Sequence, residues 1–467
     1  MFWLNSFLNL KCLYNKLVLS FIGKSRHCWK NMDCIDLHPP SSVNGMTLLD
    51  KSLFRKVIKI PQLKIPREKS NEILPLLKNY LLKMERIKPV FPNKDNTEEK
   101  IVLLHPKAYN WEILPKKELN DKNITEKCFQ YGELELNYEN WKADEILKAV
   151  LPKDSESLTS YSKIGHILHV NLRNHLLPYK TLIGEVLRDK IPGCRTVVNK
   201  SHSIDNTFRN FSLELLCGEE NYITETKENG VKYQFDFSKV YWNPRLSTEH
   251  EKVVKNLKFG DIFYDVFAGV GPFSIPAAKR KCSVIANDLN PESYTWLKVN
   301  VKMNKCESNM EIFNMDGRDF IEKIVKTDLA KKLEESNHAK SRKIFITMNL
   351  PGKAVEFLDA FKGLLNDKPE LESKQWCLPL VHVYCFIKGE ANKDLVLNFV
   401  EDNAGYKIRD NLAEIHFVRN VAPSKDMYRV SFYLPKNILF EDVLIRKRRN
   451  LKPEHQPDQN KKICTNH

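Results

Sequence analysis

"DVFAGVGPFSIPAA" spans Asp265 to Ala278. An apolar lead-in, "DIFYDVF" from Asp261, breaks at two glycines separated by one residue and resumes as an apolar helical pattern. That is the order strand, sharp turn, helix. Gly269 and Gly271 allow a tight bend and a close approach of backbone to a ligand. The spacing is G-x-G-P rather than G-x-G-x-x-G, and Pro272 lacks an N–H that a pyrophosphate would use. The turn therefore favours a ligand without phosphates over a dinucleotide.

Working outward, the same rhythm repeats about every 25 residues. From about Leu246 the strand-like runs are "DIFYDVFAG", "CSVIANDL", "NMEIFNMD", "KIFITMNL", "LVHVYCFI" and "RVSFYLP", with helical patterns between them. Strands alternating with helices imply an α/β domain with a doubly wound, Rossmann-like parallel sheet. Asp265, Asp288 and Asp316 then fall near the carboxyl ends of the first three strands. Three acids there suit a nucleoside that carries a cation, which points to S-adenosylmethionine. The plainer reading makes Asp288 and Asp316 helix N-caps. The fourth strand ends in "MNLPG", which puts Asn349 and Pro351 at the substrate edge of the sheet.

The rest of the chain bounds the partners. It has 467 residues and a net charge of +15, which fits a polyanion such as nucleic acid. Its 11 cysteines form no C-x-x-C pair, and the histidines do not cluster around them, so no metal site and no disulfide framework is expected. No apolar run is long enough to span a membrane. Residues Met1 to Asn31 hold Lys11, Lys16, Lys24, Arg26 and Lys30, with no acid before Asp33 and leucines at near-helical spacing. A basic, acid-poor amphipathic start has the character of a mitochondrial presequence; a plain extension is the alternative. The expected locations are the mitochondrial matrix and cytoplasm, with the nucleus as a further compartment.

Two smaller α+β domains are expected before the sheet. Residues 46–125 mix strand-like pieces ("FRKVIKI", "KIVLLH") with a helix in "NEILPLLKNYLLKMERI". Residues 126–245 begin with "NYENWKADEILKAVLP" and pass into the alternating runs "YSKIGHILHVNL" and "KYQFDFSKVYW". The expected division is thus 1–45 extension, 46–125, 126–245, 246–440, and a basic tail 441–467 containing "RKRR".

Assembled, "VVNKSHSIDNTFRNFSLELLCGE", "FDFSKVYWNPRLSTEHEKV", "DVFAGVGPFSIPAA", "NDLNPES", "MNLPGKAVEFLDAF" and "VRNVAPSKDMYRVSFYLP" resemble the eukaryotic and archaeal tRNA guanine-N1 methyltransferases, in order, over most of residues 46–440. The resemblance implies methylation of guanine 37, next to the anticodon, with S-adenosylmethionine as donor and a tRNA bearing guanine 37 as partner. A monomer is expected, with a tRNA-docking module at 46–125 and a tRNA-binding middle domain at 126–245.

Guanine N1 carries a proton that must leave before its lone pair can react. Such a site needs a base for N1–H and a cation for O6. The resemblance makes Glu249 that base, with Arg245 positioning it, and gives Arg209 of "NTFRNF" to O6. It sets Tyr241 and Asn349 on the guanine and lets Pro351 shape the pocket. It brings His250, Asp265, Gly269, Gly271, Asp288, Leu289, Asp316, Gly317 and Asn349 to the cofactor. On spacing alone, Glu249 is equally a first-turn helix residue, and Tyr241 and Trp242 core aromatics. The competing functions are a sister enzyme that transfers the aminocarboxypropyl group in wybutosine synthesis, and an inactive tRNA-binding protein.

Overall fold

The structure is a computed structural model that describes residues 35–152, 161–204, 211–335, 342–389 and 392–441. The basic start, Arg209 and the "RKRR" tail lie outside the described residues. The chain divides into two compact units. One holds the chain up to Thr159 together with Arg173–Ile191, and the other holds Ser160–Leu172 with Pro192 onward.

The first unit is built on an antiparallel sheet in the order β2-β3-β1-β4. Its strands are β1 (Lys56–Pro66), β2 (Val90–Pro92), β3 (Glu99–Leu103) and β4 (Phe129–Leu136). Leu63, Ile65, Val102 and Trp111 meet Ile73 and Leu77 of the helix Ser70–Leu77 in its core. That helix is shorter than its apolar pattern suggests: the chain turns after Leu77, and Leu81 bridges to Leu104. β4 pairs with β1 along its whole length, so the division expected at residue 125 falls inside this sheet's unit. Helices Ala143–Val150 and Lys180–Lys190 also belong here and pack on each other. Their shared apolar contacts take precedence over their separation in sequence.

The second unit opens with a mixed sheet of β5 (Tyr161–Ile164), β6 (Ile167–Val170), β7 (Thr196–Ile204) and β8 (Phe211–Gly218), in that order. A hairpin follows, β9 (Ile223–Glu228) with β10 (Val231–Asp236). Ile164, Ile167, Val198, Tyr233 and Phe235 join the same apolar cluster as Phe263 and Phe345 of the next sheet. The expected division at 245/246 is therefore bridged by a continuous core.

The seven-stranded sheet runs β13-β12-β11-β14-β15-β17-β16. Its strands are β11 (Ile262–Asp265), β12 (Ser283–Asn287), β13 (Met310–Phe313), β14 (Ile344–Met348), β15 (Leu380–Lys388), β16 (Leu412–Ala422) and β17 (Lys425–Tyr433). The first five are parallel, as expected. "RVSFYLP" is instead antiparallel: β17 inserts between β15 and the edge strand β16, which the sequence reading did not single out. A short hairpin carries the chain inward from the edge strand β16 to β17, and only an antiparallel pairing fits so short a connection.

Period-two alternation sorts the side chains between two faces. Tyr264, Ile346, Val383 and Val430 enter one core with Phe320, Leu329 and Leu358. Phe263, Phe345, Tyr384 and Met427 enter the other, with Val253 and Val254 of helix Ser247–Lys255 and Leu297 of helix Pro291–Met303. The second face carries the candidate site.

Candidate active site

The glycine turn leaves β11 at Asp265 and enters helix Ser274–Lys279. Gly269 and Gly271 have φ of +55° and +98°. A Cβ on Gly271 would lie 2.7 Å from Leu297 Cδ1 and 2.8 Å from Ile275 Cδ1, whereas one on Gly269 would meet nothing within 4 Å. Asp288 braces the turn: Gly269 N–H donates to its Oδ2 (2.8 Å) and Asn290 N–H to its Oδ1 (2.9 Å). Burial raises the Asp288 carboxyl above its ordinary range, and those two N–H groups oppose the rise. Of the two acids read as possible caps, Asp316 is one, accepting from Arg318 N–H at 2.8 Å. The cap of the helix after β12 is Asn290. Leu289 is 43% exposed.

Asp265 is fully buried. The Ser274 hydroxyl donates to its Oδ2, while Oδ1 has no hydrogen-bond partner among the described residues. Burial pushes this carboxyl up to about 7; the Ser274 hydroxyl and a contact from the Phe267 N–H, too poorly aligned to count as a hydrogen bond, work against that, and the Asp288 charge adds to it. Thr347, directly opposite on β14, also has an unpartnered buried Oγ1, and Asn349 an unpartnered Oδ1. Three orphaned oxygens thus lie at neighbouring strand ends. Unpartnered buried polar atoms are costly and call for a partner. Pro351 is held by its carbonyl, which accepts from Phe386 N–H (3.0 Å). Gly317 is pressed against Phe267 and Phe357, where a Cβ would come within 2.8 and 3.3 Å of their rings.

Pro244 opens a 3₁₀ turn, Pro244–Leu246, that leads into helix Ser247–Lys255. The helix presents Glu249 and His250 to the second face, each 5% exposed. His250 Nδ1 lies 2.6 Å from Glu228 Oε1, and its ring packs edge-on against Phe273 (centroids 4.7 Å). Phe273 in turn lies 6.1 Å from the Tyr384 ring, so aromatic contacts link the end of the glycine turn to the Glu249 helix and to β15. Glu249 Oε1 accepts from Tyr384 OH (2.9 Å) and Arg429 Nε (2.6 Å), and Oε2 lies 3.4 Å from His416 Nε2. Burial and the Glu249 charge raise the Tyr384 hydroxyl far above its usual range, so it is a donor at any physiological pH.

Arg245 is not among these partners. It is exposed, its N–H caps back onto Asn243, and its charge acts on a cationic group instead. Burial pushes Lys200 down to about 8 and Arg245 adds to this. Burial, with Lys200 and Arg245, takes His169 to about 3. Burial and Arg245 also lower Arg419, which Tyr241 opposes. Tyr241 is 46% exposed, and Trp242 is the core aromatic, stacked among Tyr233 and Phe235. Tyr241 and Arg245 precede the helix, which starts at Ser247 and carries Glu249 in its first turn.

Residues outside the sequence reading complete the site. Asn287 staples strand ends through Val266 O, Met315 O and Met315 N–H. Asn300 ties Val270 O to Gln234 N–H. Polar residues alternating with apolar ones inside a buried strand, His382 and Tyr384 or Arg429 and Ser431, were the available signal.

Residues 224–370 match the TRM5/TYW2 methyltransferase domain model, and residues 143–221 the TYW2 N-terminal domain model. The tRNA (guanine(37)-N(1))-methyltransferase of Drosophila melanogaster is 54% identical over 92% of this chain and 95% of its own length. The protein of the same name from Xenopus tropicalis is 44% identical over 93% and 89%. In fold, the chain resembles wild-type Trm5b from Pyrococcus abyssi (22% identity, TM-score 0.52, 80% of this chain and 99% of that one). It also resembles the enzyme in the complex of aTrm5 and tRNALeu (23%, TM-score 0.55, 80% and 100%). With relatives this similar across nearly its whole length, the chain belongs to the tRNA (guanine(37)-N(1))-methyltransferase family.

Proposed function

We propose that this chain transfers a methyl group from S-adenosylmethionine to N1 of guanine 37 in tRNA. The observation that carries the reading is Glu249: a buried carboxylate, fixed through one oxygen, on a helix packed through His250 against Phe273 beside the glycine turn. Methylation of guanine N1 requires a base for the N1 proton.

S-adenosylmethionine fits the strand ends. Its ribose hydroxyls and amino groups are donors, and Asp265 Oδ1, Thr347 Oγ1 and Asn349 Oδ1 are oxygens in want of donors. Gly269, Gly271, Asp288, Leu289, Asp316, Gly317 and His250 would line the same cradle. Bound there, the group supplies an electrophilic methyl carbon on a sulfonium. The chain's own residues do the rest. Glu249 Oε2 takes the N1 proton, so that the ring nitrogen gains its lone pair. Tyr241 is exposed enough to pack on a splayed base, and Asn349 offers its amide to the base edge. Arg209 remains the candidate for the O6 charge. Holding the reactants in line accounts for much of the rate. Burial and the Arg245 charge lower both Lys200 and Arg419, and cations gathered in this way suit RNA phosphates.

Glu249→Gln keeps the shape of the side chain and removes its basicity. The expected result is retained tRNA affinity and a loss of about 10²-fold or more in methyl transfer. Near-normal rates for that variant would remove Glu249 as the base.

A further inference from the structure

We propose that Arg429 is the positioning residue for Glu249: with Tyr384 it pins Oε1 and so assigns Oε2 to the substrate proton. The inference rests on Glu249 being the base. Its support is a cross-strand row. Tyr384 of β15 lies opposite Arg429 of β17, and Arg429 lies opposite His416 of β16. Each residue of the row reaches the same carboxylate. Tyr384 OH and Arg429 Nε both donate to Oε1, at 2.9 and 2.6 Å, while among the described residues Oε2 has only His416 Nε2, at 3.4 Å.

Arg429 is itself held. Its Nη1 donates to Ser431 Oγ (2.6 Å), which lies 2.8 Å from His382 Nδ1, and Nη1 also pairs with Glu414 Oε2 at 3.1 Å. Lys252 Nζ lies 3.1 Å from His416 Nε2, completing the charged groups that face the carboxylate from each packed element. A guanidinium held at several points cannot swing, and a carboxylate pinned by it keeps its second oxygen in one place. A charge-assisted contact is the strong form of such a clamp. When the N1–H bond breaks, its electron pair stays on N1 and the proton bonds to Oε2. Glu249 is then neutral, and Arg429 retains Glu414 as its counter-charge. The clamp therefore survives the proton transfer.

The test is single-turnover methyl transfer on a guanine-37 tRNA by Arg429→Gln, Arg429→Lys and Tyr384→Phe, each alone and combined with Glu249→Gln. A positioning role acting through Glu249 predicts a rate loss of about tenfold or more for Arg429→Gln, with the tRNA KM unchanged. Arg429→Lys recovers part of it. In the Glu249→Gln background the Arg429 change costs nothing further, because residues that act as a unit are not additive. A further loss in that background, or a change confined to KM, overturns the role of Arg429 and leaves the base assignment standing. Full activity of Glu249→Gln alone overturns the base itself. Should thermal unfolding show that Arg429→Gln fails to fold, Tyr384→Phe, which strands no charge, carries the same comparison.

Discussion

At the residue scale, two glycines of one turn do different work. Gly271 combines φ of +98° with Leu297 and Ile275 pressed where a Cβ would stand. Gly269 has a left-handed φ of +55° and open space. Gly269→Ala is expected to cost about 1–2 kcal/mol, the price of a left-handed residue. Gly271→Ala adds overpacking of about 1–3 kcal/mol to its strain. Denaturant unfolding of the two variants checks this, and equal losses would contradict it. Both glycines and Asp265 were legible from the strand–turn–helix pattern, whereas Glu249 and His250 were singled out only by the family resemblance. Asp288 and Asp316 looked alike in sequence. Only the structure separates them, because capping depends on which N–H groups face the carboxylate.

At the element scale, register decides the site. β15 and β17 place His382 opposite Ser431 and Tyr384 opposite Arg429, on the face that receives the Glu249 helix. A slip of one residue would turn all four to the other core. Alternation of polar and apolar residues in "LVHVYCFI" and "RVSFYLP" was visible, but which strands are neighbours was not, since pairing across a sheet is a long-range choice. Arg429, Tyr384 and His416 were missed for that reason. His382 carries a consequence for stability. It is 4% exposed, stacks on Phe345, and is pushed by burial and the Arg429 charge down to about 3. Between the ordinary value of 6.5 and about 3 the unfolded chain binds a proton there and the folded chain does not. Stability therefore falls as pH drops through that window. His382→Asn is expected to flatten the fall by about 1.4 kcal/mol per pH unit, read from urea unfolding at pH 6.5 and pH 5. Parallel pH dependence of variant and parent would contradict it.

At the scale of the whole molecule, the doubly wound sheet was legible in its five parallel strands and the glycine turn. The domain limits were not. A limit drawn from composition cannot see that β4 closes the first sheet, or that the β5–β8 sheet shares a core with the catalytic one. The net charge of +15 suits a polyanionic substrate. Breaking the buried Arg429–Glu249 pair from either side would cost about 3–5 kcal/mol, so variants there need their folding checked before their kinetics are read.

Incubating the protein with a labelled methyl donor and two tRNA transcripts, one with guanine and one with adenine at position 37, then analysing the nucleosides, reads the chemistry itself. The expected product is 1-methylguanosine from the first transcript and no label in the second. Label on another base, or a product heavier by an aminocarboxypropyl group, would contradict methylation at guanine N1.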